Sequence, residues 1–89
     1  MNTETFIAQI AAASIEALYG AVEASQIQIQ KTRKEFEGDY TLVTFPLLKL
    51  SRKAPEATAN EIGEHIVANN PTISSYNVIK GFLNLSIAP

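Results

Sequence analysis

Residues 41–53, TLVTFPLLKLSRK, decide how the rest of the chain is arranged, because they fit two periods at once. "TLVTF" is rich in β-branched and aromatic residues, which suit a half-buried strand. Leu42, Phe45, Leu48 and Lys49 can equally be placed at helical spacing. Pro46 has no N–H and would cost an internal helix one hydrogen bond, so a helix here must be kinked or must start late. The assignment favoured by the spacing is a helix. Just before it, in "EFEGDY", Gly38 permits a sharp change of direction and Asp39 suits the N-cap of that helix. Tyr40 then fills the core or offers a recognition surface.

Toward the C-terminus, residues 55–69 predict a second helix. Pro55 fits its first position, Glu56 suits its positive end, and Ala59, Ile62, Ile66 and Val67 form its apolar stripe. "ANNP" at 68–71 ends it. Residues 73–80 and 82–88 read as two strands around Lys80–Gly81, a tight hairpin. Toward the N-terminus, residues 3–19 predict an amphipathic helix with Ile7, Ile10, Ala11, Ile15 and Leu18 on one stripe, Thr3 as N-cap and Gly20 as the stop. "IQIQ" at 27–30 alternates strictly, a strand with Ile27 and Ile29 inward. The predicted order is α-β-α-α-β-β. This order implies an α+β fold, helices covering one face of a small antiparallel sheet, with residues 1–89 as one domain.

Hydrophobic residues at 46% and charged residues at 18% describe a globular chain, not a disordered one. Without cysteine there is neither a disulfide framework nor a thiolate metal site, and His65, the single histidine, cannot anchor a metal alone. No apolar run approaches the ~20 residues that span a bilayer. The start lacks a basic region and carries Glu4 and Glu16, unlike a signal peptide, so a cytoplasmic setting is expected. A net charge of −2 argues against a free-standing nucleic-acid binder. The basic residues are nonetheless clustered, as Lys31, Arg33 and Lys34 and then as Lys49, Arg52 and Lys53. Such clusters are either solvated loops and helix ends or an accessory contact to a polyanion.

The strand at 82–87 carries a contradiction. Leu83, Leu85 and Ile87 share one face by period-two alternation, and Phe82, Asn84 and Ser86 share the other. Asn and Ser mark that second face as wet, yet it bears a phenylalanine. Either a helix covers Phe82 or it stands exposed.

Several short motifs suggest catalysis and do not support it. "KLSRK" at 49–53 resembles the KMSKS loop with which class I aminoacyl-tRNA synthetases hold ATP phosphates. It stands here without the nucleotide-binding fold or its HIGH-type signature, and a basic helix end explains it. Glu56, Glu61 and Glu64 read as the solvent side of a helix, and no base or nucleophile converges on them. No active site is expected within these residues.

Two longer stretches in fixed order carry more. "EGDYTLVTFPLLKLSRKAPEATANEIGEHI" followed by "YNVIKGFLNLSI" resembles the N-terminal additional domain of arginyl-tRNA synthetase, over essentially the whole chain. That family shows a Gly-Asp-Tyr turn, a Lys-rich helix end, a Pro-led helix with an Ala/Ile stripe, and a strand pair carrying Gly-Phe-Ile-Asn or a variant. Gly38, Asp39, Tyr40 and Gly81 match its structural positions. The resemblance implies a domain that touches the corner of tRNA(Arg), where the D-loop lies. Arginine activation with ATP then takes place in a catalytic domain further along the same polypeptide. It also implies that Phe82 and Asn84 face the tRNA. A third contact falls at Ile79 or Lys80, since this chain is one residue shorter than the common Gly-Pro-Gly-Phe form. Lys31, Arg33 and Lys34 are the accompanying candidates for tRNA backbone contacts. No cofactor, metal or membrane is implied for the domain itself. A stacked base on Phe82 with an amide about 7 Å away on the same face would suit an RNA loop. The alternative from the residues alone is a protein-interaction module that docks a partner on its exposed strand face or edge.

Overall fold

The computed structural model describes residues 2–88. Helix α1 (Thr3–Tyr19) is followed by a short 3₁₀ turn at Ala24–Gln26 and strand β1 (Ile29–Lys31). Strand β2 (Tyr40–Val43), a 3₁₀ turn at Phe45–Leu47 and the single-turn helix α2 (Leu48–Ser51) come next. Helix α3 (Pro55–Asn69) and the hairpin of β3 (Ile73–Ile79) and β4 (Phe82–Ile87) complete the chain. Among the described residues these strands form one antiparallel sheet in the order β1-β2-β4-β3.

Helices α1 and α3 lie together on one face of this sheet. Ile7, Ala11 and Ile15 of α1 and Ala59, Ile62 and Ile66 of α3 are buried against Leu42, Leu83 and Leu85 of the two central strands. Truncating any of these leucines to Ala would cost about 2–5 kcal/mol. The two helices are also joined by a hydrogen bond between Ser14 Oγ and His65 Nδ1, 2.8 Å apart. His65, half-exposed on α3, is therefore an inter-helix tether. Gly63 lets α3 approach the sheet, because a Cβ there would lie 2.6 Å from the Tyr76 ring.

The α+β fold, both long helices and the terminal hairpin agree with the sequence. The hairpin turn is of type I′, with Lys80 at φ 49° and Gly81 at φ 87°. The stretch at 40–47 differs: the expected helix is a strand. Strand β2 is interior, pairing with β1 through Leu42–Ile29 and with β4 through Leu42–Leu83. Two neighbouring strands satisfy its backbone more fully than a helix interrupted by Pro46 could. Pro46 sits at the start of the 3₁₀ turn, where its missing N–H is harmless, and α-helix begins only at Leu48. The true order is α-β-β-α-α-β-β.

Asp39 consequently caps no helix. Its Oδ2 accepts from the Ile87 N–H at 2.7 Å, and its own N–H donates to the Leu85 carbonyl at 2.8 Å. It clamps the entry of β2 to the end of β4. Two smaller expectations also shift. Asn2, not Thr3, caps α1, its Oδ1 accepting from the Thr5 N–H at 2.7 Å. The first strand starts at Ile29, while Ile27 follows the 3₁₀ turn, and both isoleucines pack against the core as expected.

Candidate nucleic-acid interface

The helices occupy one face of the sheet, and pleating sends every second residue of each strand to the other. On that outer face the register lines up two rows. Gln30, Thr41, Asn84 and Asn77 form a polar row across all the strands. Val43, Phe82 and Ile79 form an apolar row beside it. The segment at 32–39 folds back over the polar row.

This segment leaves the apolar row half open. The result is a cleft of about 200 Å³ lined by Gln30, Arg33, Phe36, Thr41, Ile79, Lys80 and Phe82. Phe82 is half-buried, with its ring edge-to-face with that of Phe45, centroids 5.8 Å apart and planes at 82°. Phe45 is 48% exposed, an unusual place for so large an apolar ring. Two aromatic side chains thus line the cleft, a third stands beside them, and Arg33 and Lys80 supply positive charge.

The hairpin tip that carries Lys80 is held in place. The Gly81 carbonyl accepts from Thr44 Oγ1 at 2.5 Å and from the Thr44 N–H at 3.3 Å. A Cβ on Gly81 would lie 2.8 Å from that of Pro55, so the tip packs directly on the start of α3.

The candidate residues from the sequence divide accordingly. Phe82, Lys80 and Arg33 meet in the cleft, and both options for the third contact, Ile79 and Lys80, line it. Lys34 is exposed in the turn after Arg33. Lys31 is exposed on the edge strand, but it pairs with Tyr40 and so lies in a row that faces the helices. Tyr40 is half-buried against the core. Asn84 is the correction: it is 1% exposed, not open beside Phe82. Its Oδ1 accepts from Thr41 Oγ1 at 2.6 Å and its Nδ2 donates to Asn77 Oδ1 at 3.0 Å. The reason is Gly38, whose φ of 132° brings the backbone so close that a Cβ there would lie 3.1 Å from that of Asn84. Sequence reasoning missed Phe36, Gln30 and Thr41, although a phenylalanine set among the charges of "KEFEGD" is a visible signal.

In the second basic cluster, Lys53 Nζ forms an ion pair with Glu61 at 2.8 Å. The Tyr19 hydroxyl donates to the same carboxylate. The Lys53 hydrogen bond, followed by that of Tyr19, holds the Glu61 carboxyl below its ordinary range. Desolvation by burial, reinforced by Glu61, raises the pKa of the Tyr19 phenol. This Lys53–Glu61–Tyr19 network joins α1, α3 and the loop before α3.

The family described as Arginyl tRNA synthetase N terminal domain matches residues 4–87. An arginine–tRNA ligase of Bacteroides fragilis is 54% identical over 89 residues, covering 99% of this chain and 15% of that protein. One from Porphyromonas gingivalis is 59% identical over 80 residues, covering 89% of this chain and 13% of its own. The solved arginyl-tRNA synthetase of Thermus thermophilus has the same fold over 98% of this chain and 14% of its own, with a TM-score of 0.79 at 21% identity. The chain thus spans about 15% of the length of such curated relatives. With the match running from α1 through β4 and curated arginine–tRNA ligases this similar, the chain belongs to the arginyl-tRNA synthetase N-terminal domain family.

Proposed function

We propose that this chain is the accessory tRNA-recognition domain of a longer cytoplasmic arginine–tRNA ligase. It contacts tRNA(Arg) at the corner that holds the D-loop and helps position it, while ATP-dependent arginylation proceeds in a catalytic domain of the same polypeptide. The observation that carries this is the outer-face cleft, in which the Phe82 and Phe36 rings meet Arg33 and Lys80. RNA loops present unstacked bases, which stack on aromatic rings, while nearby cations meet the flanking phosphates. Gln30, exposed on the cleft wall, adds a polar group that can reach a base edge. With a formal net charge of −2, recognition rests on this local arrangement and not on a general attraction to polyanions.

Titration of an unmodified tRNA(Arg) transcript with the intact chain across a salt series tests the proposal. Affinity should fall log-linearly with salt, with a slope of about −0.7 for each phosphate neutralised on single-stranded RNA. Arg33→Ala and Lys80→Ala should each make that slope shallower. No binding, or binding indifferent to salt, would overturn the proposal and favour a protein partner on this face.

A further inference from the structure

The basic cluster at 49–53 is only partly accounted for by its ion pair. Lys53 is held by Glu61, whereas Lys49 and Arg52 are exposed and, among the described residues, pair with no carboxylate. Both belong to a run of helical backbone that begins at Phe45. The 3₁₀ turn Phe45–Leu47 passes directly into α2, and the Arg52 N–H closes the run on the Leu48 carbonyl at 2.9 Å. Phe45, Lys49 and Arg52 follow one another at helical spacing and so share a face. Leu47 and Ser51 take the buried side. The exposed side therefore carries a large aromatic ring followed by two cations.

That ring is held in place. It lies edge-to-face with Phe82, and a Cβ on Gly81 would come within 3.3 Å of Phe45 Cζ, so it rests against the hairpin tip beside Lys80. Yet 48% of Phe45 meets solvent, and folding gains nothing from that part. A fixed, exposed ring that adjoins the cleft and leads to cations has the make-up of a single-stranded RNA track. In such tracks successive bases stack on successive aromatic rings, and the backbone follows positive charge. The planes of the two rings stand at 82°, so a base parallel to one is nearly perpendicular to the other. Two such rings suit two bases, splayed apart as in an RNA loop.

We infer that the RNA path continues past the cleft: Phe45 takes a second unstacked base of the loop whose first base lies on Phe82, and Lys49 and Arg52 meet the phosphates beside it. This rests on the tRNA-binding function proposed above. It carries the footprint from the outer face of the sheet around the hairpin tip to α2.

The test titrates the unmodified tRNA(Arg) transcript, across a salt series, into the parent chain, Phe45→Leu, Lys49→Gln/Arg52→Asn, Phe82→Leu and Phe45→Leu/Phe82→Leu. Residues 49 and 52 are exposed, and Asn tolerates the left-handed φ of 57° at position 52. The cation variant should thus melt like the parent, and it remains informative should Phe45→Leu fold poorly. Phe45→Leu should bind about fivefold more weakly or worse, the lower worth of one stacked base, with the salt slope of the parent. Lys49→Gln/Arg52→Asn should make the slope shallower by about 1.4, or about 0.7 for each phosphate no longer neutralised. With a base on each ring, Phe45→Leu should weaken binding again in the Phe82→Leu background. Parent-like affinity in Phe45→Leu would overturn the inference, as would a parent-like slope in the cation variant. So would a Phe45→Leu loss that vanishes in the Phe82→Leu background, which would mark Phe45 as a prop for its neighbour. If the parent binds and these variants match it, the tRNA-binding function stands without the extension; if the parent binds no tRNA, both fail.

Discussion

Phe82 contributes both to folding and to the cleft, and a pair of substitutions separates the two. A fully buried Phe→Ala change costs about 3–5 kcal/mol. Phe82 is only half-buried, so roughly half of that, about 2 kcal/mol, is expected for Phe82→Ala. Phe82→Leu keeps most of the apolar contact with Val43 and Ile79 but loses the edge-to-face pairing with Phe45, worth about 0.5–1.5 kcal/mol. For a domain of this size 1 kcal/mol moves the melting temperature by about 4–8 °C. The Leu variant should therefore melt some 4–8 °C below the parent, and the Ala variant about twice as far below it. Neither replacement offers a flat π face. Both should lose about 1–3 kcal/mol of tRNA binding, roughly 5- to 150-fold, if a base stacks on the ring. Melting and tRNA titration on the same Phe82→Leu protein decide the matter. A lowered melting temperature with parent-like tRNA affinity would show that the ring serves packing alone.

Strain and charge give two further outcomes. Lys80 holds a left-handed φ of 49°, which costs a non-glycine residue about 1–2 kcal/mol and which Asn tolerates better. Lys80→Asn should therefore raise the melting temperature by several degrees, on the order of 1 kcal/mol, while weakening tRNA binding and flattening its salt dependence. The Glu61 carboxyl is held below its ordinary pKa by Lys53 first and then by Tyr19. Its contribution to stability is thus present above the unfolded-state value of 4.5 and is lost as pH falls through the lower folded-state value. A urea melt series from pH 6 to pH 2 should show this loss in the parent, and Glu61→Gln should remove that component; an unchanged pH profile in the variant would reject it.

The parts of the fold that sequence makes legible are those governed by a single period. Helix α3 announces itself through Pro55 and the stripe of Ala59, Ile62 and Ile66. The hairpin does so through the alternation of Leu83 and Leu85 beside Lys80–Gly81. Residues 40–47 are not legible in this way, because Leu42 and Phe45 satisfy a helical spacing by coincidence. The choice between the periods is tertiary. Tyr40–Val43 gains pairing partners on both sides, from Ile29–Lys31 and from Phe82–Leu85, and no local propensity records that. Without a helix to cap, Asp39 serves as a clamp on β4 instead.

The candidate site is legible by chemistry and not by layer. Phe82, Lys80 and Arg33 do meet, but Asn84 reads as a surface residue because Asn is seldom buried without partners. One partner, Asn77, lies just across the hairpin, but the other, Thr41, lies on β2, far away in sequence, and cannot be counted from the hairpin alone. Polar residues on the outer face of a strand therefore signal either water or a second layer held by hydrogen bonds.

The second-layer arrangement also explains why the cleft lies where it does. A helix across the outer face would bury Phe82 outright and leave no opening. Apart from Asp39, which bonds the β4 backbone, the loop is held to the sheet by the side chains of Thr41 and Asn77, in the row centred on Asn84. The next outward row, about 7 Å along the strands, offers Val43, Phe82 and Ile79, which give the loop nothing to bond. The strap therefore ends at that row, with Arg33 and Phe36 on its rim and Phe82 on the floor beyond it. One period-two alternation thus sets the loop anchor and the open aromatic surface side by side. The phenylalanine that looks misplaced among Asn84 and Ser86 belongs to the row that the strap leaves uncovered.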